Sequence, residues 1–299
     1  MFSNSQLRGT GVALITPFKQ DKSIDFDAMK RVIDFNIENG VNYFIILGTT
    51  GESPVLTKEE KHEVFGKAAA FVNGRIPLVA GVGGNSTAQV IEDMRAFAFR
   101  EQYCAFLSVT PYYNKPSQQG MIEHYGAIAA MSPLPIILYN VPGRTGVTLQ
   151  PATVIHLANT HKNIIGVKEA AGSMSATFEL LRDRPEGFLL LSGDDDLTFP
   201  QIACGFDGVI SVAAQAFPKP FCKMVQDALA GNTQQAAPIQ LRLIKGINLL
   251  FKEGNPVGVK LALAQMGLCE NVLRLPLISA SPTLSTEMQE FIHASKDLL

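Results

Sequence analysis

The sequence predicts an α/β fold, a (β/α)8 TIM barrel with a C-terminal helical extension, and three observations carry that prediction. Short apolar runs ending in small or polar residues alternate with longer amphipathic segments, the pattern of repeated βα units around a parallel sheet. Eight such runs are present, at Gly11–Thr16, Tyr43–Leu47, Pro77–Gly81, Ala105–Val109, Pro135–Tyr139, Ile164–Lys168, Phe188–Leu191 and Gly208–Val212. Their ends recur at a steady interval: Pro17 to Thr49 is 32 residues (49 − 17), and Thr110 to Tyr139 and Tyr139 to Lys168 are 29 each (139 − 110, 168 − 139). A barrel of eight units in about 250 residues averages roughly 31 per unit.

Taken in order, the segments between the strands carry helix signals. Asp25 opens a helix over Asp25–Asn39 that Gly40 closes, and Thr57 followed by Glu60 makes a capping box for Lys58–Val72, closed by Gly74. Further helices are expected at Thr87–Arg100, Gln119–Met131, Ala152–Ala158 and Ser175–Arg182. After Val212 the strand signal stops, and the chain reads as helices near Pro218–Leu229, Thr233–Phe251, Pro256–Met266 and Thr283–Ser295. No Gly/Ser linker or charge run precedes this tail, so the expected division is a barrel with the catalytic site over 1–215 and a helical segment packed on it over 216–299.

Composition narrows the function. With 299 residues, 46% of them hydrophobic and 17% charged, the chain can bury a large core. A net charge of −2 without a dense basic run argues against nucleic acid or an anionic membrane as partner. The opening Met1-Phe2-Ser3-Asn4-Ser5-Gln6 lacks the charged and apolar regions of a signal peptide, and no apolar run approaches the roughly 20 residues of a membrane span. A cytoplasmic protein is therefore expected. Cys104, Cys204, Cys222 and Cys269 are far apart and form no C-x-x-C pair, which predicts reduced, mostly buried thiols rather than a zinc site.

In a barrel of this kind the chemistry sits at the carboxyl ends of the strands. Here those ends carry Thr49 and Thr50, Tyr112 and Tyr113, Tyr139 with Arg144 beyond it, Lys168, and Gly193 with Asp194. The set contains an amine, hydroxyls and a guanidinium, but no histidine. His62, His124, His156 and His293 fall in or beside helices and His161 in a loop, so a metal hydrolase is not expected, and neither is any metal or other cofactor. Three acids in Ser192-Gly193-Asp194-Asp195-Asp196 oppose a phosphate site there and are expected to bond nearby backbone.

The stretch Asn163-Ile164-Ile165-Gly166-Val167-Lys168-Glu169-Ala170 ends an apolar strand on one lysine. A buried ammonium without a partner costs several kcal/mol, and a neutral amine is a nucleophile toward carbonyls. The plainer reading, a lysine that snorkels out and pairs with Glu169, stands beside the catalytic one on this stretch alone. In the catalytic reading Lys168 forms an imine with a ketone or aldehyde, and Tyr139 on the adjacent strand carries protons with help from Thr49. The Gly48-Thr49-Thr50-Gly51 turn suits a small carboxylate, and Arg144 can hold a second one with a bidentate fork.

Four ordered motifs then resemble the dihydrodipicolinate synthase family, which belongs with N-acetylneuraminate lyase to the pyruvate-dependent class I aldolases. They are Gly48-Thr49-Thr50-Gly51-Glu52-Ser53, Thr110-Pro111-Tyr112-Tyr113-Asn114-Lys115-Pro116, Tyr139-Asn140-Val141-Pro142-Gly143-Arg144-Thr145-Gly146 and Gly166-Val167-Lys168-Glu169-Ala170. The resemblance runs from about Gly11 to the C-terminus and favours the catalytic reading of Lys168. It implies condensation of pyruvate with aspartate semialdehyde to the cyclic precursor of diaminopimelate and lysine. By motif, Lys168 would form the Schiff base, Tyr139 would relay protons, and Thr49 would link Tyr139 to a Tyr113 reaching in from a neighbouring subunit. Thr50 would hold the pyruvate carboxylate, Arg144 that of the semialdehyde, and Gly193 and Ile210 would line the pyruvate pocket, although Ile210 by itself reads as core. A homo-oligomer, at least a dimer and by family habit a tetramer, follows. For Glu169 the expectation is a side chain on the opposite face of the strand, paired elsewhere.

The resemblance also places a lysine-effector pocket at Ser53, Pro54, Lys58, Lys61, Asn85, Gln89 and Tyr112. Lys58 and Lys61 stand where sensitive enzymes often have histidine, and Gln89 where a glutamate receives the effector's ammonium. Added positive charge and a lost carboxylate predict weak or absent feedback by lysine. Two rivals remain at this stage. A lyase for sialic acid or a keto-deoxy sugar acid would share Lys168 and Tyr139 but accept a polyhydroxy aldehyde, against which Arg144 and the Tyr112-Tyr113 pair argue. A non-catalytic keto-acid sensor would not need a proton path.

Overall fold

The structure, a computed structural model, describes residues 4–299. The reading of Met1-Phe2-Ser3 as part of a start without a signal peptide lies outside the described residues. Eight parallel strands close into a barrel in sequence order: β1 Gly9–Ala13, β2 Tyr43–Ile46, β3 Leu78–Gly81, β4 Ala105–Val109, β5 Ile136–Asn140, β6 Ile164–Glu169, β7 Leu189–Ser192 and β8 Gly208–Ser211. The helices around it are α1 Phe26–Glu38, α2 Lys58–Val72, α3 Thr87–Arg95, α4 Gln118–Met131, α5 Pro142–Thr145, α6 Pro151–Thr160, α7 Met174–Asp183 and α8 Thr198–Cys204. The chain then runs through α9 Ala213–Ala216, α10 Pro218–Leu229, α11 Thr233–Phe251, α12 Val257–Gln265 and α13 Pro282–Ala294. Short 3-10 turns lie at Asn4–Leu7, Thr49–Gly51 and Ser53–Val55.

The predicted caps form. Asp25 accepts from the Ala28 N–H, and Thr57 and Glu60 make the reciprocal capping box. One helix is shorter than predicted: α3 stops at Arg95 rather than Arg100. Phe97 and Phe99 both turn inward to an edge-on cluster with Phe65, Tyr103 and Phe106, and residues two apart cannot share one helix face. The first strand begins at Gly9 rather than Gly11, because Gly9 pairs with Gly208 to close the barrel. Leu14, Ile15 and Thr16 continue past the sheet, where the Ile15 N–H donates to Gln215 and the Thr16 hydroxyl to the Gly51 carbonyl. The short helices α5, α8 and α9 went unpredicted, since one or two turns leave too little periodicity to read.

Two apolar layers result. One lies between sheet and helices and extends from Val12 through Phe291, so α10–α13 add their apolar faces to the same core. The other fills the barrel, with Tyr43, Ile45, Leu107, Ile137, Leu191 and Ile210 among its residues and Leu7 from the first 3-10 turn. Glycines make this filling possible: a Cβ at Gly11 would stand 2.3 Å from the Tyr43 ring, and one at Gly208 would stand 2.1 Å from the Gly9 carbonyl oxygen.

Between β5 and β6 the pairing shifts by one residue. Ile136 pairs with Ile164, but Ile137 pairs with Gly166, so β6 carries one extra residue in a bulge. Beyond it Leu138 faces Val167, Tyr139 faces Lys168 and Asn140 faces Glu169. Strict alternation from Ile165, which points into the barrel, would send Lys168 outward. The bulge inverts the phase and brings Lys168 to the inner face beside Tyr139.

Gly208→Ala is expected to destabilise the protein by about 1–3 kcal/mol or more through overpacking at the closure. Gly74→Ala, where φ is +72° and no atom lies near the added methyl, is expected to cost only about 1 kcal/mol of backbone strain. Urea unfolding midpoints of the two variants check the order.

Candidate active site

A cavity of about 430 Å³ opens at the carboxyl ends of the strands, with Gly48, Thr49, Tyr139, Val141, Arg144 and Asn255 among its walls. Lys168 is not on that wall. It is 4% exposed, and its Nζ stands 4.3 Å from the centre of the Tyr139 ring. Among the described residues its amine has no ion pair and no hydrogen bond. Gly193 makes this position available: its N–H donates to the Glu169 carbonyl at 2.7 Å, and a Cβ there would come within 3.1 Å of the Lys168 Cε. Ile210 lies in the barrel filling below, in the same cluster as Tyr139.

The acids nearest Lys168 are engaged elsewhere. Glu169, 2% exposed on the outer face, accepts from Asn140 Nδ2 at 3.0 and 2.9 Å and from the Ala171 N–H at 2.8 Å. Burial pushes its carboxyl up to about 7, with hydrogen bonds opposing and the Asp194 charge adding to the rise. Asp195 accepts from the Ser211 hydroxyl and the Val212 and Ala213 N–H groups, and burial raises it to about 6. Asp194, also raised by burial, accepts from the Gly172 N–H. Asp194 and Asp195 thus bond backbone as expected, whereas the Asp196 carboxylate accepts no hydrogen bond among the described residues.

The turn after β2 is tied to the C-terminal helices. Asn255 donates to the Thr50 hydroxyl at 2.9 Å, and its carbonyl accepts from Arg144 at 3.4 Å. Thr50 is thus buried against Asn255, while Thr49 faces the cavity. Two residues on, Glu52 pairs with Lys260 of α12, which is fully buried, also donates to the Val272 carbonyl, and stands 4.0 Å from the Phe18 ring centre. Arg274 adds a donor to Glu52 through its N–H and clasps Glu60 with its guanidinium. Sequence reasoning missed Asn255, Lys260 and Arg274; the lone charge in Val257-Gly258-Val259-Lys260-Leu261-Ala262-Leu263 was the available signal, since a charge inside an apolar helix needs a buried partner.

Tyr112 and Tyr113 stand on an exposed loop. Tyr113 is 90% exposed with φ +73°. Neither its hydroxyl nor those of Tyr139 and Thr49 has a hydrogen-bond partner among the described residues, so the Tyr139–Thr49–Tyr113 relay is not closed within one chain. Of the predicted effector residues, Ser53, Pro54, Lys61 and Tyr112 line the same cavity as Tyr139, and Asn85 donates to the Tyr112 carbonyl. Gln89 turns its amide to Glu92 and Asp93, and Lys58 is exposed at the start of α2.

The histidines lie outside the cavity. His124 bonds Thr87, and burial lowers it to about 4. Among the described residues no three His, Cys, Asp or Glu side chains converge as metal ligands. All four cysteines are free; burial pushes Cys104, Cys222 and Cys269 up to about 12, whereas Cys204 is exposed.

Against known proteins, residues 6–295 match the model of the dihydrodipicolinate synthetase family. The chain belongs to that family. A 4-hydroxy-tetrahydrodipicolinate synthase of Parabacteroides distasonis is 48% identical over 272 residues, 91% of each chain. One of Flavobacterium psychrophilum is 46% identical over 283 residues, 95% of this chain and 96% of the relative. A solved dihydrodipicolinate synthase from Thermotoga maritima superposes with a TM-score of 0.95 at 37% identity, covering 98% of this chain and all of the other. The family's barrel is the fold described above; Tyr139, Thr49 and Arg144 line the cavity at its mouth, and Lys168 lies against the ring of Tyr139.

Lys260→Met leaves Glu52 buried without its cation and is expected to cost about 3–5 kcal/mol, measured by urea unfolding. A second expectation concerns pH. Glu169 and Asp195 bind protons more tightly folded than unfolded, so the stability they contribute is full below their ordinary values of 4.5 and 3.8 and is lost as pH rises through about 7 and 6. Glu169→Gln should flatten the fall in melting temperature between about pH 4.5 and 7.

Proposed function

We propose that the protein condenses pyruvate with L-aspartate 4-semialdehyde to 4-hydroxy-tetrahydrodipicolinate, the first committed step toward diaminopimelate and lysine. The observation that carries this reading is Lys168, a buried amine without an ion pair among the described residues, held against the ring of Tyr139. Its lone pair adds to C2 of pyruvate, and the carbonyl oxygen leaves as water with the two amine protons. The imine nitrogen takes a proton and draws electrons from C3, which loses a proton and becomes an enamine carbon. That carbon attacks the aldehyde, whose oxygen takes a proton to become the hydroxyl. The semialdehyde's amine then displaces Lys168 from C2 and closes the ring.

Tyr139 carries the protons of these steps. The backbone of the turn after β2, with Thr50, holds the pyruvate carboxylate, Gly193 leaves room for the three-carbon arm, and Arg144 at the rim clamps the semialdehyde's carboxylate. Thr49 connects Tyr139 to Tyr113 of a second copy. Support for that copy is the exposed ring of Tyr113 in the left-handed region, a conformation that costs roughly 1–2 kcal/mol and needs a compensating contact. The active unit is therefore at least a dimer. No helix among the described residues is long and apolar enough to cross a membrane, in keeping with a cytoplasmic enzyme.

Reduction with borohydride in the presence of pyruvate should add one pyruvate unit to the intact mass, and Lys168→Ala should abolish it. Tyr139→Phe is expected to keep the adduct while lowering kcat by about 10²–10⁴. No adduct in the wild type would leave the keto-acid sensor; an adduct without turnover of the semialdehyde would leave the sugar-acid lyase. Lysine should inhibit weakly or not at all, because Lys58 and Lys61 oppose its ammonium and the Gln89 amide is neutral; initial rates at millimolar lysine check this.

A further inference from the structure

We propose that Asn140 and Glu169 are paired positioning residues that hold β5 and β6 in the register at which Tyr139 and Lys168 share one face. The inference rests on the imine reading above. Neither side chain lines the cavity, and both are buried on the outer face of the sheet, directly after the two catalytic candidates. Asn140 Nδ2 donates to both Glu169 oxygens and to the Leu149 carbonyl, while its Oδ1 accepts from the Leu149 N–H at 2.9 Å. The pair thereby joins the end of β5, the end of β6 and the segment after α5, which carries Arg144.

The reason a clamp is needed lies just upstream. The bulge opposite Ile136 and Ile137 decides whether Lys168 or Glu169 faces into the barrel, and a slip of one residue exchanges them. Apolar neighbours such as Val167 and Leu138 carry no directional group that selects one phase. The hydrogen bonds select it: they form only when Asn140 lies opposite Glu169, and the alternative buries Glu169 in the barrel without its donors. Among the described residues no cation pairs with Glu169, so its carboxylate serves as an acceptor rather than as half of an ion pair.

Steady-state kinetics and the borohydride adduct on Asn140→Leu, Glu169→Leu, the double leucine variant and Glu169→Gln test the pair. In the leucine variants kcat should fall about 10- to 100-fold, the penalty of an angstrom-scale misplacement, with KM for pyruvate within about threefold because the carboxylate is held by the turn after β2. The double variant should recover part of the melting temperature lost by either single one, since neither Asn140 nor Glu169 is left facing an apolar partner while Leu149 and Ala171 still lose their bonds, but it should not recover kcat. Glu169→Gln should lose less kcat than Glu169→Leu, because Oε1 still accepts from both Ala171 and Asn140 although the new amide nitrogen faces Asn140 Nδ2 where Oε2 stood. A double variant with wild-type kcat, or Glu169→Gln losing as much as Glu169→Leu, would overturn the proposal. If the leucine variants do not fold, Asn140→Ser decides: a tenfold loss of kcat sustains the pair and an unchanged kcat sinks it. Absence of the adduct in the wild type would instead indict the imine reading.

Discussion

The arrangement of the site depends on one register. A parallel pair of strands puts facing residues on the same side of the sheet, so the match of Tyr139 with Lys168 is what makes a phenol and an amine neighbours. That match does not follow from simple alternation along β6; it needs the extra residue in the bulge, and Gly166 there lies so close to Leu189 that a Cβ would stand 2.8 Å from it. The same register sends Glu169 away from Lys168, which keeps the amine free of the ion pair that its sequence neighbour would otherwise supply. Reactivity and strand pairing are thus set by one geometric choice.

Two buried lysines show how differently the same side chain can be used. Lys260 is surrounded by a carboxylate, a carbonyl and an aromatic face, the full complement that a buried ammonium requires. Lys168 has the ring of Tyr139, with Asp194 and Asp195 acting on it only at a distance because their oxygens are committed to backbone and hydroxyl donors. The first lysine holds two parts of the chain together. The second has no such set of partners among the described residues, which suits the nucleophile proposed for it.

What Lys260 holds together explains the role of the C-terminal helices at the mouth of the barrel. The turn carrying Thr49 and Thr50 leaves the sheet after β2 and has few ladder bonds of its own; Asn255, Lys260 and Arg274 supply its anchors from more than two hundred residues away. Asn255 also meets Arg144. The turn proposed for one substrate carboxylate and the guanidinium proposed for the other therefore share a support, and their spacing is not free to vary independently.

The sequence by itself determined the barrel, because a period near 30 residues between apolar strand ends has few other solutions, and it determined the candidate amine, phenol and guanidinium, because the strand-end rule and four ordered motifs both select them. Capping residues such as Asp25 and Thr57 were legible for the same reason: their chemistry is local. Tertiary structure alone decided the rest. The phase of Lys168 comes from a bulge between strands, the stop of α3 from the packing of Phe97 on Phe65, the burial of Lys260 from a partner at Glu52, and the pairing of Asn140 with Glu169 from a register that joins segments 29 residues apart. Each is a contact between positions distant in the chain, and such contacts leave no periodicity within either segment from which they could be read.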